Sequence, residues 1–229
     1  MDKSEEIMIS ADQVRVQCIQ KMGSDLGSVY FELRNEIAWL HEKWSQFLKL
    51  YGHSQETIDI LNEAADNFFG IIQKVFLEDI VLHLSRLTDK IKSCGHKNLS
   101  LQILPEKITD PKLKAKIEEL IKTAKKSCDT ARRWRDKLLA HQDYYYATTR
   151  SDSLPGIGRT QIESSLIAVR NILNQIQSHF EDGETGYEYP ITEGGDADSL
   201  IYFLQKGIES EKVKKEQFFK IKTDSENSK

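Results

Sequence analysis

The sequence predicts an all-α fold, an up-and-down helical bundle, and three observations favour it. Only 12 Gly and 4 Pro interrupt the 229 residues. The chain is 30% charged and 39% hydrophobic, a balance typical of globular helical proteins and not of disordered chains. Apolar residues recur at three- and four-residue steps along several long stretches, as in amphipathic helices. We expect a single helical domain over 1–229, with a core at about 26–182, a C-terminal helical extension at about 196–219 and a disordered tail at about 220–229.

Three helices are predicted in the first part of the chain. Their apolar spacing places them at about 7–22, 26–50 and 55–92. Ser54 is a suitable N-cap for the third, because its hydroxyl can accept from a free backbone N–H of the first turn. The third helix is long enough to form the central rod of a bundle.

Three more helices follow, and two of them have start signals. Asp110 before Pro111 is typical of an N-cap followed by proline at the first helical position. Thr160 and Glu163 have the spacing of a capping box. The predicted helices therefore run over about 111–143, 160–180 and 198–219.

Composition also limits the classes of protein. No run of about 18 apolar residues occurs, so we expect no transmembrane helix and no membrane partner. The first residues, Met1 to Glu6, lack the basic and apolar regions of a signal peptide. The three cysteines are odd in number and widely spaced, which argues against a disulfide framework. The sequence therefore predicts a cytoplasmic protein with reduced thiols.

Charge is unevenly distributed along the chain. The formal net charge is −4. The segment from Lys112 to Lys137, however, contains ten basic residues, Arg132 among them, and four acidic ones, which gives it a local net charge of +6. This segment is either a phosphate-facing surface or a solvated helix face.

Arg135 and His141 form the one constellation that suggests chemistry. A permanent cation and a group that titrates near neutral pH suit phosphodiester cleavage without a metal. The spacing alone is weak evidence, because it can arise by chance. On an α-helix six residues give about 9 Å of rise and a net angle of about 120°, so one chain is poorly arranged to use both groups. Two copies about a two-fold axis would bring two of each into one cleft, which predicts a homodimer.

These residues resemble the motif of the HEPN superfamily, an arginine and a histidine separated by four to six residues on a late helix of a helical bundle. Asp136 fits the polar residue that usually follows the arginine. The segment Leu84 to Asp89, on the preceding long helix, resembles the HEPN branch named for abortive phage infection. The resemblance spans roughly Ile37 to Phe180.

The resemblance implies a metal-independent endoribonuclease without a cofactor, a toxin or antiphage effector whose site forms at a homodimer interface. His141 would take the proton from a ribose 2′-hydroxyl, and His141 of the second copy would protonate the leaving 5′-oxygen. Arg135 would hold the phosphate, and Asp136 would orient Arg135 or His141 or cap a turn. The products would be a 2′,3′-cyclic phosphate and a 5′-hydroxyl.

Several alternatives stay open at this point. HEPN-like bundles also include non-catalytic members that bind nucleotides or proteins, so the chain could instead be the partner of a nucleotidyltransferase-type antitoxin. Arg86 and Asp89, three apart, either approach an RNA pocket or form a surface ion pair. Tyr145 either stacks on an unpaired base or packs against a neighbouring helix. No metal site is predicted.

Overall fold

The computed structural model of the chain describes residues 10–93, 95–139, 148, 156–189 and 194–227. These residues are mostly helical, which confirms the predicted all-α class. Two short strands, β1 (Lys92–Ser93) and β2 (His96–Lys97), pair as an antiparallel hairpin. A 3-10 turn covers Leu101–Ile103 and a π turn covers Arg135–Leu139. The helices are α1 (Ala11–Met22), α2 (Ser24–Tyr51), α3 (Gln55–Leu87), α4 (Leu104–Lys107), α5 (Pro111–Ser127), α6 (Asp129–Trp134), α7 (Arg159–Phe180) and α8 (Ala197–Asn227).

Two predicted helix starts are confirmed. The Ser54 hydroxyl accepts from Thr57 N at 3.1 Å, so it caps α3. Asp110 Oδ1 accepts from Leu113 N at 2.7 Å, and Pro111 is the first residue of α5. In both cases the capping side chain lies within three residues of its donor, which is why sequence pattern finds it.

The predicted capping box at the start of α7 is wrong. The helix begins one residue earlier, at Arg159, and its N-cap is Gly158. Gln161 Oε1 accepts from the backbone N–H of Gly158 at 2.7 Å, while Glu163 binds the Arg159 side chain at 2.8 Å. Because Gln161 supplies the reciprocal bond, Thr160 is not needed as a cap.

The long third helix ends earlier than predicted. Its backbone leaves the helical conformation at Ala65, and it stops at Leu87 instead of running to about residue 92. Gln102 Nε2 donates to the carbonyls of Thr88 and Asp89 at 2.8 and 2.7 Å. These two carbonyls therefore accept hydrogen bonds from a side chain outside the helix and not from the backbone N–H groups of a further helical turn.

The predicted fourth helix, over about 111–143, is interrupted. It stops at Ser127, resumes as α6 after Cys128, and widens into the π turn at Arg135. Ser165 from α7 donates to the Ser127 carbonyl at 2.9 Å, and Arg132 Nη2 donates to the Lys125 carbonyl at 2.8 Å. Side chains thus take over carbonyls at the end of α5, which permits the break.

The contacts divide the chain into two compact units. The first comprises Met1–His41 and Glu78–Tyr189. Helices α5 and α7 pack along one another in it. Most of its largest fully buried side chains are apolar and spaced at helical intervals, including Leu33, Ile37, Ile80, Leu84, Ile117 and Ile162. Cys18 and Cys128 are buried free thiols, and Cys94 lies outside the described residues.

The second unit comprises Glu42–Leu77 and Pro190–Lys229. Its core contains Leu50, Leu61, Phe69 and Ala197, with Ile201 and Leu204 of α8 packed against them. Asp196 caps α8 by accepting from Ser199 N at 3.1 Å, and Lys49 binds Asp196 at 2.5 Å.

Helix α8 is longer than predicted. It continues to Asn227, past the expected end at about residue 219, so residues 220–227 are helical and not a disordered tail. No Pro or Gly occurs between residues 208 and 229 to stop it. Among the helices of the described part of the chain, none is long and apolar enough to span a membrane.

Candidate functional site

Arg135 is held between two carboxylates. Its Nη1 donates to both carboxylate oxygens of Asp89, each at 2.5 Å. Its Nε donates to Asp136 Oδ1 at 2.8 Å. Asp89 is 46 residues away in sequence, so this contact joins the end of α3 to the π turn. The arginine of the motif therefore has a fixed orientation.

Local backbone features place these groups. Because α3 stops at Leu87, Asp89 lies beyond the helix, and Gln102 binds its carbonyl. On the other side, Arg135 is the first residue of the π turn. Such widened turns inside α-helices are frequent at functional sites.

The two carboxylates are not equivalent. The side chain of Asp89 is 28% exposed, whereas that of Asp136 is 60% exposed. Burial by itself lowers the pKa of Arg135, but the hydrogen bonds from its guanidinium to Asp89 and Asp136 raise that pKa above its ordinary value. The guanidinium stays charged, and the half-buried Asp89 is its firmer anchor.

A cavity of about 360 Å³ lies beside this cluster. Glu36 Oε2, from α2, lies 2.8 Å from His83 Nε2 and 3.6 Å from Arg86 Nη2. The His83 side chain is almost fully buried, with 1% exposure. The cavity is lined by Glu36, His83, Arg86, Leu87, Asp89, Lys97, Asn98 and Leu99. Asp89 thus contacts Arg135 and also lines this cavity, whose other lining residues come from α2, α3 and the segment around β2.

Comparison with protein-family models matches residues 24–200 to the HEPN family AbiU2. The chain belongs to this HEPN family. This confirms the resemblance to the abortive-infection branch, and the matched segment contains Arg135, Asp89 and the residues that line the cavity. No curated protein and no solved structure matches the chain.

In this HEPN chain, Arg86 and Asp89 make separate ion pairs. Arg86 approaches Glu36, and Asp89 binds Arg135. Both residues line the cavity.

Arg132 has a local role in the described structure. Its Nη2 donates to the Lys125 carbonyl at 2.8 Å and to Asp129 Oδ1 at 3.3 Å. Its guanidinium therefore binds the C-terminal end of α5, where a cation is favoured by the helix dipole. His141 and Tyr145, by contrast, lie outside the described residues.

Sequence reasoning missed Glu36 and His83. They are 47 positions apart on different helices, and neither belongs to a motif. The usable signal was weak: His83 occupies a position on α3 next to the buried Leu84, where a histidine needs a polar partner. Among the described residues, no group of three or more His, Cys, Asp or Glu could hold a metal ion.

Proposed function

We propose that this HEPN protein is a metal-independent endoribonuclease that acts as a toxin or antiphage effector. The observation that carries the proposal is the arginine of the HEPN motif, Arg135, held in a fixed orientation by Asp89 at the edge of a polar cavity. A preorganised guanidinium is suited to a phosphate whose oxygens gain charge during the reaction.

The RNA phosphate replaces Asp136 at Arg135. The cluster of one arginine and two carboxylates has a net charge of −1, so a phosphate binds only if one carboxylate leaves. The exposed Asp136 can rotate into solvent, whereas Asp89 stays in place behind the guanidinium. The contacts with Asp89 and Asp136 use Arg135 Nε and Nη1, so Nη2 can donate to the phosphate oxygens.

The chemical step needs His141 from a homodimer. One His141 takes the proton of the ribose 2′-hydroxyl, and the resulting oxygen attacks the adjacent phosphorus. The bond from phosphorus to the 5′-oxygen breaks, and His141 of the second copy protonates that oxygen. The products are a 2′,3′-cyclic phosphate and a 5′-hydroxyl, so DNA, which has no 2′-hydroxyl, is not cleaved.

The cavity beside Asp89 takes the neighbouring nucleotide. Arg86 and Lys97 line it and supply positive charge near the RNA backbone. Glu36 supplies a carboxylate that can accept from the amino group of a base.

A second candidate function is a non-catalytic module that binds a nucleotide or a protein such as a nucleotidyltransferase-type antitoxin. The observation that favours it is the double pairing of Arg135, because a guanidinium already satisfied by Asp89 and Asp136 is also what a purely structural arginine would show.

RNA cleavage by the purified protein in EDTA separates the two functions. We expect the wild-type chain to produce 5′-hydroxyl ends, and we expect Arg135→Ala and His141→Ala to lose this activity. Arg159→Ala is the matched control, because it removes an exposed arginine that pairs with Glu163. If folded Arg135→Ala cleaves RNA at the wild-type rate, or if the wild-type chain cleaves no RNA, the ribonuclease proposal fails.

A further inference from the structure

A carboxylate with a fixed position lines the cavity beside Asp89. The side chain of Glu36 is 43% exposed, so a ligand can reach it. Its Oε2 lies 2.8 Å from Nε2 of His83, whose side chain is 1% exposed and therefore held in place by its neighbours. Nη2 of Arg86 lies 3.6 Å from the same oxygen, which is an ion-pair distance and too long for a hydrogen bond. Because a carboxylate has about four lone-pair sites, Oε1 and Oε2 of Glu36 can still accept from a ligand.

The rest of the cavity suits one nucleobase. Its volume of about 360 Å³ is near the lower end of the range for small-molecule sites, about 300–1,000 Å³. Leu87 and Leu99 line it, and Leu99 is 44% exposed, so a base has apolar side chains to pack against. Arg86 and Lys97 supply donors in the same cavity. The lining thus combines an acceptor, donors and an apolar surface, as nucleobase sites require.

The four RNA bases differ in how they meet a carboxylate. Guanine presents two adjacent donors, N1–H and the N2 amino group, which can reach both oxygens of one carboxylate. Adenine and cytosine present one amino group beside a ring nitrogen that is an acceptor, so the second oxygen would face a lone pair. Uracil presents one N–H between two carbonyl oxygens. Guanine also has acceptors at O6 and N7, which suit the cations of Arg86 and Lys97.

We propose that this cavity is a guanine-binding site and that Glu36 is the residue that selects the base. Asp89 lines the cavity and also binds Arg135, so the base belongs to a nucleotide next to the phosphate at Arg135. The inference rests on the proposed function for that phosphate, and it names the substrate as RNA with guanine beside the cleaved bond. Base recognition itself needs only the residues of the cavity, so it can be measured apart from cleavage.

Fluorescence anisotropy measures base selection without cleavage. The probe is a labelled single-stranded RNA of uridines with one central guanosine, and the protein is the full chain with His141→Ala. We expect this probe to bind about 10-fold more tightly than probes with adenosine or cytidine at the central position, because a good pair of hydrogen bonds to one base edge gives discrimination of this order. Inosine differs from guanosine only in lacking the N2 amino group, and it should also lose about 10-fold, since the lost hydrogen bond is to a charged group.

The variant Glu36→Gln tests the carboxylate. It keeps the shape of the side chain but replaces one acceptor oxygen by a donor, so we expect the ratio of guanosine to adenosine affinities to fall about 10-fold. Glu32→Gln is the matched control, because it removes the same charge from an exposed residue one turn away on α2 and should leave the ratio unchanged. A purely structural Glu36 would change the affinity for all probes alike and leave the ratio as it is.

The outcomes distinguish guanine recognition from the ribonuclease proposal. A chain that cleaves RNA in EDTA but binds all probes equally would overturn guanine recognition and leave the ribonuclease in place. The same holds if folded Glu36→Gln keeps the ratio of its parent chain. A chain that cleaves no RNA but prefers guanosine, and loses that preference in Glu36→Gln, would overturn the ribonuclease and support the base site. Absence of binding to every probe would overturn the base site.

Discussion

At the scale of single residues, the proposed function makes Arg135 the position where the carboxylates and the phosphate compete for one guanidinium. Asp89 and Asp136 both bind it, but Asp89 is half-buried behind it and Asp136 is exposed. If Asp89 anchors Arg135 and Asp136 gives way to the phosphate, neutralising these two carboxylates should have different effects on RNA cleavage.

Neutralising Asp89 should therefore reduce catalysis. Asp89→Asn removes a charge-assisted hydrogen bond of about 1.5–3 kcal/mol, so we expect kcat for RNA cleavage to fall about 10- to 100-fold. Asp136→Asn is the paired control and should leave kcat nearly unchanged while KM stays equal or falls. Steady-state kinetics on a short RNA measures both. Equal losses in the two variants would contradict the division of roles.

His41 should make the first unit sensitive to acid. Its side chain is 5% exposed, and burial, followed by the nearby Arg170, lowers its pKa to about 4 from 6.5. The unfolded chain takes up a proton as pH falls below about 6.5, but the folded chain does not. The contribution of His41 to stability is therefore complete above pH 6.5 and is lost as pH falls from 6.5 to 4, by on the order of 3 kcal/mol.

The check is urea unfolding between pH 7 and pH 4 of the wild type and of His41→Gln. We expect a flatter pH dependence in the variant. The exposed His53→Gln serves as control and should follow the wild type. A wild-type stability that does not change between pH 6.5 and pH 4.5 would be inconsistent with a buried neutral His41.

The sequence identified Arg135 and Asp89 as site candidates but not as a pair. The reason is physical: the contact spans 46 residues and depends on where α3 ends, and that end is set by Gln102. Glu36 and His83 could not be found for a similar reason, since the partners come from two helices.

At the scale of elements, two helical glycines have different surroundings. A Cβ built on Gly27 of α2 would lie 2.5 Å from the Cys18 carbonyl oxygen and 2.7 Å from the Ile19 Cα of α1. A Cβ on Gly70 of α3 would meet no atom within 4 Å. Gly27 thus permits the close approach of α1 to α2, whereas Gly70 has no such role.

Alanine at these two positions should have effects of opposite sign. Gly27→Ala forces α1 and α2 apart, and we expect a loss of about 1–3 kcal/mol of unfolding free energy. Gly70→Ala should add about 0.5–1 kcal/mol, because it reduces the freedom of the unfolded chain without a clash. Chemical denaturation of both variants measures this, and a neutral Gly27→Ala would show that α1 shifts at no cost.

Helix starts were predictable where the cap is local, and ends were not where the cap comes from elsewhere. Ser54 and Asp110 cap donors three residues away. The break after Ser127 depends instead on Ser165 of another helix, and no pattern near Cys128 announces it. The conformation of Ala65 likewise has no local signal.

At the scale of the whole molecule, the charge of −4 opposes binding to RNA, so the proposed association with RNA must depend on the local basic segment. Lys122 and Lys126 are exposed on one side of α5. The apolar residues Ile117, Ile121 and Ala124 occupy the other side and are buried. This amphipathic arrangement leaves the lysines accessible to phosphates.

Reversing the two lysines should weaken RNA binding. For Lys122→Glu/Lys126→Glu, made in a His141→Ala chain to prevent cleavage, we expect about 10-fold lower affinity and a salt slope reduced by about 2. Arg15→Glu/Lys206→Glu makes the same change in net charge at other exposed positions. Fluorescence anisotropy over a salt series distinguishes the pairs, and equal losses would assign the effect to net charge alone.

Composition and periodicity predicted the helices of both units, but not their grouping. The core of the second unit joins Leu50, Leu61 and Phe69 to Ala197, more than a hundred residues later. Each of these helices has an apolar side, but the spacing of apolar residues does not show which apolar sides pack against one another.

The π turn from Arg135 to Leu139 separates the arginine from the residues that follow Leu139. A π turn holds one residue more than an α turn. Deleting one residue from the π turn would convert it to an α turn. In a regular α-helix, by contrast, each inserted residue rotates all the residues after it by 100° about the helix axis. A family motif that tolerates four to six residues between arginine and histidine needs a segment able to absorb such insertions. In this chain the wide turn can do so, and Arg135 keeps its anchor to Asp89 while the length downstream varies.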